Sequence, residues 1–235
     1  MATKSKKKKK NKSMKIFINI LVLLILIPAF LTAGIFSIGY MYKLELYKTE
    51  NLQVKMQGLK EKNNYTATTD ISKCFLEGVV SIEDHRFYEH NGFDIISFSR
   101  AMLVNIKTAN FSQGGSTITQ QLAKNLYLDA SKNFFRKATE LLIAIDIEKN
   151  YSKEQILESY VNIIYYGKNS YGISNASKTF FNKNPINLTH VEAAYLAGLT
   201  QSPTLYSSDD MLGNKRKDLV LDAMSRYSNC NHNKP

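Results

Sequence analysis

The 235-residue sequence has few of the residues that build disulfide frameworks or metal centres. Its two cysteines, Cys74 and Cys230, are too few for a disulfide framework and lack metal-ligand spacing, so we expect both to be free thiols. The four histidines form no HExxH-type pair, and no internal repeat is visible. The composition therefore argues against a disulfide-rich or repeat protein and predicts no metal site. The length suffices for one domain with its own core.

Charge is missing from one long stretch near the N-terminus. Residues 16–42 contain no Asp, Glu, Lys or Arg, and a helix of this length reaches roughly 40 Å against a hydrocarbon core of about 30 Å. Residues 1–15 hold eight lysines and no acid, so most of the formal net charge of +11 belongs there. We predict a basic cytoplasmic tail, disordered by composition, and a single transmembrane helix that places residues 43–235 outside the cytoplasm.

The N-terminal region has two other interpretations. A cleaved signal peptide also begins with lysines and an apolar run, but its apolar part spans only ~7–15 residues, whereas this one continues to residue 42. The lysines could contact nucleic acid, but beside a membrane they would attract anionic lipid at about 1 kcal/mol per residue. We therefore predict an uncleaved anchor in the cell membrane, with membrane lipids and no nucleic acid as partners.

Beyond the anchor, apolar residues at helical spacing and helix-capping residues predict a mainly α fold, with a short pair of strands at most. Residues 43–70 are polar and loop-like and are interpreted as a stalk, residues 71–228 as the domain proper, and residues 229–235 as a disordered tail. Capping residues and hydrophobic spacing predict helices at residues 70–80, 95–106, 134–150, 152–166 and 191–199, with one more that Ser116 opens.

A first polar cluster lies in residues 82–94. The adjacent carboxylates Glu83 and Asp84 follow an apolar run, so at least one of them lies at the edge of a buried segment. A carboxylate half out of water is costly unless it is paired or chemically useful. His90 adds a second polar side chain, and Gly92 can adopt positive φ where the backbone turns. A helix end with solvated charges is the simpler alternative.

A second cluster, residues 114–125, follows ~30 residues later, at a distance that suits two walls of one cleft. Its Gly-Gly-Ser start exposes backbone N–H groups at a helix N-terminus, where an anion is favoured. Ser116, Gln120 and Lys124 fall within about 80° of one another around a helix. This face predicts a phosphate or diphosphate ligand, against the alternative of an ordinary polar helix with a serine cap.

A third cluster pairs Arg136 with Glu140, four residues apart, which could form only a surface ion pair. The following residues 141–147 are apolar on nearly every face, which is typical of a central helix. Glu140 is therefore expected near the core or in a cleft wall. Lys132, Arg136 and Lys137 would add cations to the anion site.

These three clusters together resemble the first three motifs of the peptidoglycan glycosyltransferases. They read Glu-Asp-x-x-Phe-x-x-His-x-Gly from Glu83, Gly-x-Ser-Thr-Ile-Thr-Gln-Gln-x-x-Lys-Asn from Gly114, and Arg-Lys-x-x-Glu from Arg136. Residues 156–172 and 192–203 are similar to the fourth and fifth motifs.

The resemblance covers about residues 70–207 and leaves no room for a transpeptidase domain, so we expect the monofunctional form. Its departures, Lys168-Asn169 and Thr200 where family members often carry proline, are assigned to loops with little effect on the chemistry.

The resemblance implies a lysozyme-like, mostly helical fold with a cleft between two lobes, and polymerisation of lipid II into glycan strands outside the membrane. By position, Glu83 would be the general base for the acceptor hydroxyl, and Glu140 would assist on the donor side. No cofactor is certain, although Mg²⁺ or Mn²⁺ could bind at the diphosphate through Asp84 or Glu140. The substrate contacts that the resemblance implies are Asp84, Phe87, His90, Gly92, Ser116, Thr117, Gln120, Gln121, Lys124, Asn125, Lys132, Arg136 and Lys137.

Several functional alternatives follow from the same residues. A lytic enzyme of the same fold would use a glutamate as general acid and would need no lysine-rich diphosphate site. A noncatalytic membrane-anchored scaffold would leave the same residues as solvated charges.

The apolar residues 93–111 could dip into lipid and admit a prenyl chain. The partners expected of a polymerase are lipid II and the growing glycan strand, and other cell-wall synthesis proteins could join it.

Overall fold

The computed structural model describes residues 2–108, 114–128 and 134–230, with the backbone alone described for residues 2–13 and for Phe134. Within these ranges the chain is mainly α, as predicted, and the only β-type pairing is an isolated bridge between Tyr165 and Tyr171. The helices are α1 (Ala2–Thr49), α2 (Leu52–Lys60), α3 (Lys73–Glu83), α4 (Ile95–Thr108), α5 (Ile118–Tyr127), α6 (Phe134–Asn150), α7 (Lys153–Ile163), α8 (Ile173–Phe181), α9 (His190–Leu199), α10 (Pro203–Ser208) and α11 (Asp210–Tyr227).

The N-terminal helix α1 contains a 36-residue segment, Met14–Thr49, that is long and apolar enough to cross a membrane. Its large apolar side chains are exposed, Phe30 at 74% and Leu24 at 67%, so this surface needs lipid or another apolar partner. The helix begins at Ala2, so the prediction of a disordered tail over residues 1–15 is wrong for the described part. Lysine is a good helix former, and extending an existing helix needs no new nucleus.

The segment predicted as a stalk belongs to the packed domain. Helix α2 begins after Asn51 and buries Leu52, Met56 and Leu59 in the main core. Farther along, the Tyr65 hydroxyl donates a 2.7 Å hydrogen bond to a Glu158 carboxylate oxygen. The three apolar residues recur at helical spacing inside a polar composition, and the prediction overlooked this stripe.

The core is built where α5 packs on α6 and α7, and where α3 packs on α9 and α11. Helix α6 has the bounds that the sequence predicted, and Ile143, Ala144 and Ile147 on it are fully buried. The expectation of a central helix is therefore confirmed. This arrangement places the C-terminal end of α3 near α5, and α6 behind α5.

Capping explains where several helices begin and end. The predicted capping boxes at Ser152 and Thr189 are both present. Helix α7 ends at Ile163 instead of residue 166, because Ile164 already accepts a hydrogen bond from Gly172 N–H in the following turn. Gly167 in this turn has φ +93°, and a side chain there would collide with Ser207.

The C-terminal end of the described chain is tied to α3 by a Cys74–Cys230 disulfide, with 5.4 Å between the Cα atoms. Asn229 N–H also donates to the Glu77 carboxylate. The predictions of free thiols and of a frayed end at Asn229 and Cys230 are therefore wrong. Helix α11 brings Cys230 back to the start of α3, a contact that cysteine spacing does not reveal. Residues 231–235 lie outside the described residues.

Candidate active site

A cavity of roughly 350 Å³ opens between the C-terminal end of α3, helix α4 and the residues that precede α5. The first two sequence clusters meet here, as the prediction of two cleft walls required. Its charged and polar lining includes Glu83, Asp94, Arg100, Ser116, Gln121 and Arg216.

Glu83 is the last residue of α3, and its side chain is only 10% exposed. Its Oε2 accepts a 2.8 Å hydrogen bond from the Gln121 amide nitrogen, and its Oε1 accepts a 2.9 Å bond from the Thr200 hydroxyl. The Arg216 guanidinium lies 3.5 Å from the same Oε1. Groups from three different helices or helix ends thus hold one carboxylate in position at the edge of the cavity.

The Gln121 amide is itself oriented by Tyr160. The Tyr160 hydroxyl donates a 2.9 Å hydrogen bond to Gln121 Oε1, which turns the amide nitrogen toward Glu83. Burial raises the pKa of Tyr160 far above its usual value, so the phenol stays protonated and can donate. A chain of hydrogen bonds therefore runs from the buried Tyr160 through Gln121 to Glu83.

Asp84, the neighbour of Glu83, is committed to the protein. Its carboxylate oxygens lie 3.0 Å from His90 Nε2, and one of them accepts a 3.0 Å bond from Ile118 N–H at the start of α5. Phe87 is fully buried and His90 is 8% exposed. Phe87 and His90 are therefore internal in this structure, and the substrate contacts expected of them stay predictions. These residues hold the α3–α4 loop against α5.

Gly92 and Thr117 join the same two segments. The Thr117 hydroxyl donates a 2.8 Å bond to the Gly92 carbonyl oxygen. Gly92 has φ +86°, and a Cβ there would lie 3.2 Å from the Ala144 backbone. A glycine is needed because α6 passes so close. Both residues are thus structural supports, and only Thr117 also lines the cavity.

Helix α5 begins later than predicted, and this changes the expected anion site. Thr117 is the N-cap, and the Gln120 side chain closes a capping box with it and is 2% exposed. Ser116 lies before the helix, so the prediction that Ser116, Gln120 and Lys124 share one helix face is wrong. Lys124 and Asn125 lie on the exposed side of α5.

A cluster of cations surrounds Glu140 on α6. Glu140 is 3% exposed, forms an ion pair with Lys137, and has an Arg136 nitrogen 4.0 Å from its Oε2. Lys137 Nζ also lies 2.8 Å from Ser116 Oγ, which connects this cluster to the lining of the cavity. Of the two places expected for Glu140, near the core or in a cleft wall, its burial supports the place near the core. Lys132 lies outside the described residues.

Two further groups set the charge of the cavity. Burial acts to raise the pKa of Asp94, but hydrogen bonds from Ser97 and Ile96 and the nearby Arg86 outweigh it and hold the pKa below its usual 3.8. Burial and Arg100 lower the pKa of His85, so this ring is neutral at neutral pH.

The sequence of residues 50–225 matches the model of a known family, the transglycosylases. The chain belongs to this family. Penicillin-binding protein 2D of Bacillus subtilis (strain 168) is 43% identical over 162 residues, which cover 69% of this chain and 23% of that protein. Penicillin-binding protein 1A of Neisseria flavescens is 41% identical over 164 residues, covering 70% and 20% respectively. The chain thus spans about a fifth of the length of these curated relatives.

Membership in the transglycosylase family agrees with the lysozyme-like helical fold that the resemblance predicted. The two carboxylates that the sequence suggested as ligands of a divalent ion do not fit that role in the structure. Asp84 has both oxygens engaged by His90 and Ile118 N–H, and Glu140 is already paired with cations.

Sequence reasoning missed three groups near Glu83 in this transglycosylase-family chain. Thr200 was visible as a departure from the family motif but was assigned to a loop without effect, whereas its hydroxyl contacts Glu83. Tyr160 was part of the fourth motif without a role. Arg216 lies outside every motif, and no signal in the sequence pointed to it.

Proposed function

We propose that this chain polymerises lipid II into β-1,4-linked glycan strands, with inversion at the donor sugar and release of undecaprenyl diphosphate. The observation that carries the proposal is the Glu83 carboxylate, held by Gln121 and Thr200 at the edge of a cavity that also contains Arg216. Family membership over residues 50–225 supports the reaction class.

Glu83 acts as the general base. A sugar hydroxyl is a poor nucleophile, so a positioned base contributes ~10²–10⁴-fold to its attack. As the 4-hydroxyl oxygen of the acceptor bonds to C1 of the donor sugar, its proton passes to Glu83 and the bond from C1 to the diphosphate oxygen breaks. One direct displacement inverts the configuration and needs no covalent intermediate.

The cations around Glu140 serve the departing diphosphate. Negative charge develops on this leaving group, and fixed cations stabilise it without reorganisation. Lys137 contacts Ser116 beside the cavity, and Arg136 lies on the same helix. Glu140 holds both cations in place, and Lys124 and Lys132 complete the cationic set in this proposal.

In this proposal helix α1 crosses the membrane with the lysine-rich N-terminus in the cytoplasm and the domain outside it, as the positive-inside rule predicts. Helix α4 then brings the site to the lipid surface, because its outer face is apolar and unburied. The exposed residues are Ile95, Ile96, Phe98, Met102, Leu103 and Ile106. Replacing Phe98 and Met102 by Asp should weaken liposome binding of a version without the membrane helix. Unchanged binding would remove this part of the proposal.

The decisive experiment is lipid II polymerisation in detergent by the wild type and by Glu83→Gln, with products resolved by strand length. Asp218→Asn is the matched control, since Asp218 is 69% exposed on α11. We expect strands from the wild type and the control, and none from Glu83→Gln despite retained lipid II binding. A wild type that makes no strands but cleaves preformed glycan would establish the lytic alternative, for which Lys124→Ala should be harmless.

A further inference from the structure

Thr200 is the C-cap of α9, half-buried beside Glu83. Its Oγ1 lies 2.9 Å from Glu83 Oε1 and 2.8 Å from the Ala197 carbonyl oxygen. Both neighbours are acceptors, and a hydroxyl has one hydrogen. Thr200 can therefore donate to only one of them at a time.

The two oxygens of Glu83 differ in what their partners can do. Oε2 faces the Gln121 amide nitrogen, which can only donate and whose orientation is set by Tyr160. Oε1 faces the Thr200 hydroxyl at 2.9 Å, which can donate to a carboxylate or accept from a carboxylic acid, and the Arg216 guanidinium at 3.5 Å, which can only donate. Thr200 is thus the hydrogen-bond partner of Glu83 that remains suitable after protonation.

We propose that Thr200 is a positioning residue whose hydroxyl turns between Glu83 Oε1 and the Ala197 carbonyl as Glu83 gains and loses the acceptor proton. Before reaction, Thr200 donates to the carboxylate. The proton then passes from the sugar hydroxyl to Oε1, and the new O–H turns to Thr200 Oγ1 while Thr200 donates to Ala197. Glu83 Oε1 therefore keeps Thr200 as its hydrogen-bond partner in both protonation states, and the proton is held away from the new glycosidic oxygen. This inference rests on the proposed function, because it needs Glu83 as base.

The test compares Thr200→Val with Thr200→Ser in the full chain, using lipid II in detergent. Valine keeps the shape but removes the hydroxyl, so we expect kcat to fall about 10-fold while the KM for lipid II is unchanged, as for a lost hydrogen bond to a charged group. Serine keeps the hydroxyl and loses only a methyl group, so its kcat should stay within about 2-fold of the wild type. The control is Thr179→Val on α8, which removes a hydroxyl that accepts a hydrogen bond from Ser170. This variant should not change kcat.

The opposite pattern would overturn the inference. A packing role for the Thr200 methyl group would leave Thr200→Val active and impair Thr200→Ser, and a backbone role would impair both equally. Wild-type rates for both variants would also refute it. Melting temperatures show whether each variant is folded, and Thr200→Ala replaces Thr200→Val if the latter is not. A wild type without polymerase activity would instead refute the proposed function.

Discussion

Glu83 and Glu140 are both nearly buried, yet they are held in different ways. The partners of Glu140 are on its own helix, three and four positions away. Two partners of Glu83 lie 38 and 117 positions away in the sequence. The pairing of Glu140 could therefore be read from helical spacing, whereas the environment of Glu83 depends on how α5, α9 and α11 pack around α3.

The chemistry of the partners differs as well. Glu83 is held mainly by the neutral donors of Gln121 and Thr200, while Glu140 is surrounded by the cations of Lys137 and Arg136. Neutral donors orient a carboxylate and leave its charge available for a substrate proton, whereas adjacent cations balance that charge. This difference supports a base at Glu83 and an electrostatic support at Glu140.

The largest expected effect separates these two roles. Glu140→Gln should lower kcat/KM for lipid II about 100-fold by raising KM and lowering kcat together, because Lys137 and Arg136 lose the anion that positions them for both the bound and the departing diphosphate. Glu83→Gln should act on kcat alone. Steady-state rates over a range of lipid II concentrations distinguish the two variants. A Glu140→Gln enzyme with normal KM and reduced kcat would contradict the comparison.

The next effect concerns the stability of helix α3, whose C-terminal end lines the cavity. Cys230→Ser removes the disulfide that ties the chain end to α3, and should lower the free energy of unfolding by about 2–4 kcal/mol. Urea denaturation in detergent measures the loss. A reductant should destabilise the wild type to the same degree and leave Cys230→Ser unaffected, and a wild type indifferent to reductant would show that the bond does not form.

Helix α6, which carries Glu140, rests on helix α1 instead. Lys43 Nζ lies 2.8 Å from an Asp146 carboxylate oxygen, to which the Tyr47 hydroxyl also donates. Asp146→Asn should lower the free energy of unfolding by about 1.5–3 kcal/mol, the range for a hydrogen bond to a charged group. Thermal unfolding in detergent measures it, with Asp222→Asn on the exposed face of α11 as control. Equal melting temperatures for both variants would show that α1 does not support α6.

The smallest expected effect on stability concerns Asp94, which lines the cavity. Its folded pKa is lowered below the unfolded 3.8, so its ionised form stabilises the fold above that pH, and this contribution is lost as pH falls through the folded pKa. Asp94→Asn should cost about 1 kcal/mol at neutral pH. The difference from the wild type should shrink below pH 3.8. A difference that stays constant with pH would contradict an electrostatic origin.

Local patterns were enough to predict some elements of the structure. The bounds of α6, the capping boxes at Ser152 and Thr189, and the burial of Glu140 depend on residues within a few positions of one another. Predictions failed where the same local sequence pattern was compatible with two different roles for a side chain. Gln120 could face a ligand or close the helix cap, and the structure shows that it closes the cap.

The sequence by itself determined the anchor helix, the mainly helical domain and the motifs that meet at one cavity, because hydrophobic periodicity, capping and charge act over short distances along the chain. Only the tertiary structure decided that Cys74 joins Cys230, that His90 and Phe87 are internal supports, and that Thr200 and Arg216 surround Glu83. These contacts join residues far apart in the chain, and packing of whole helices brings them together.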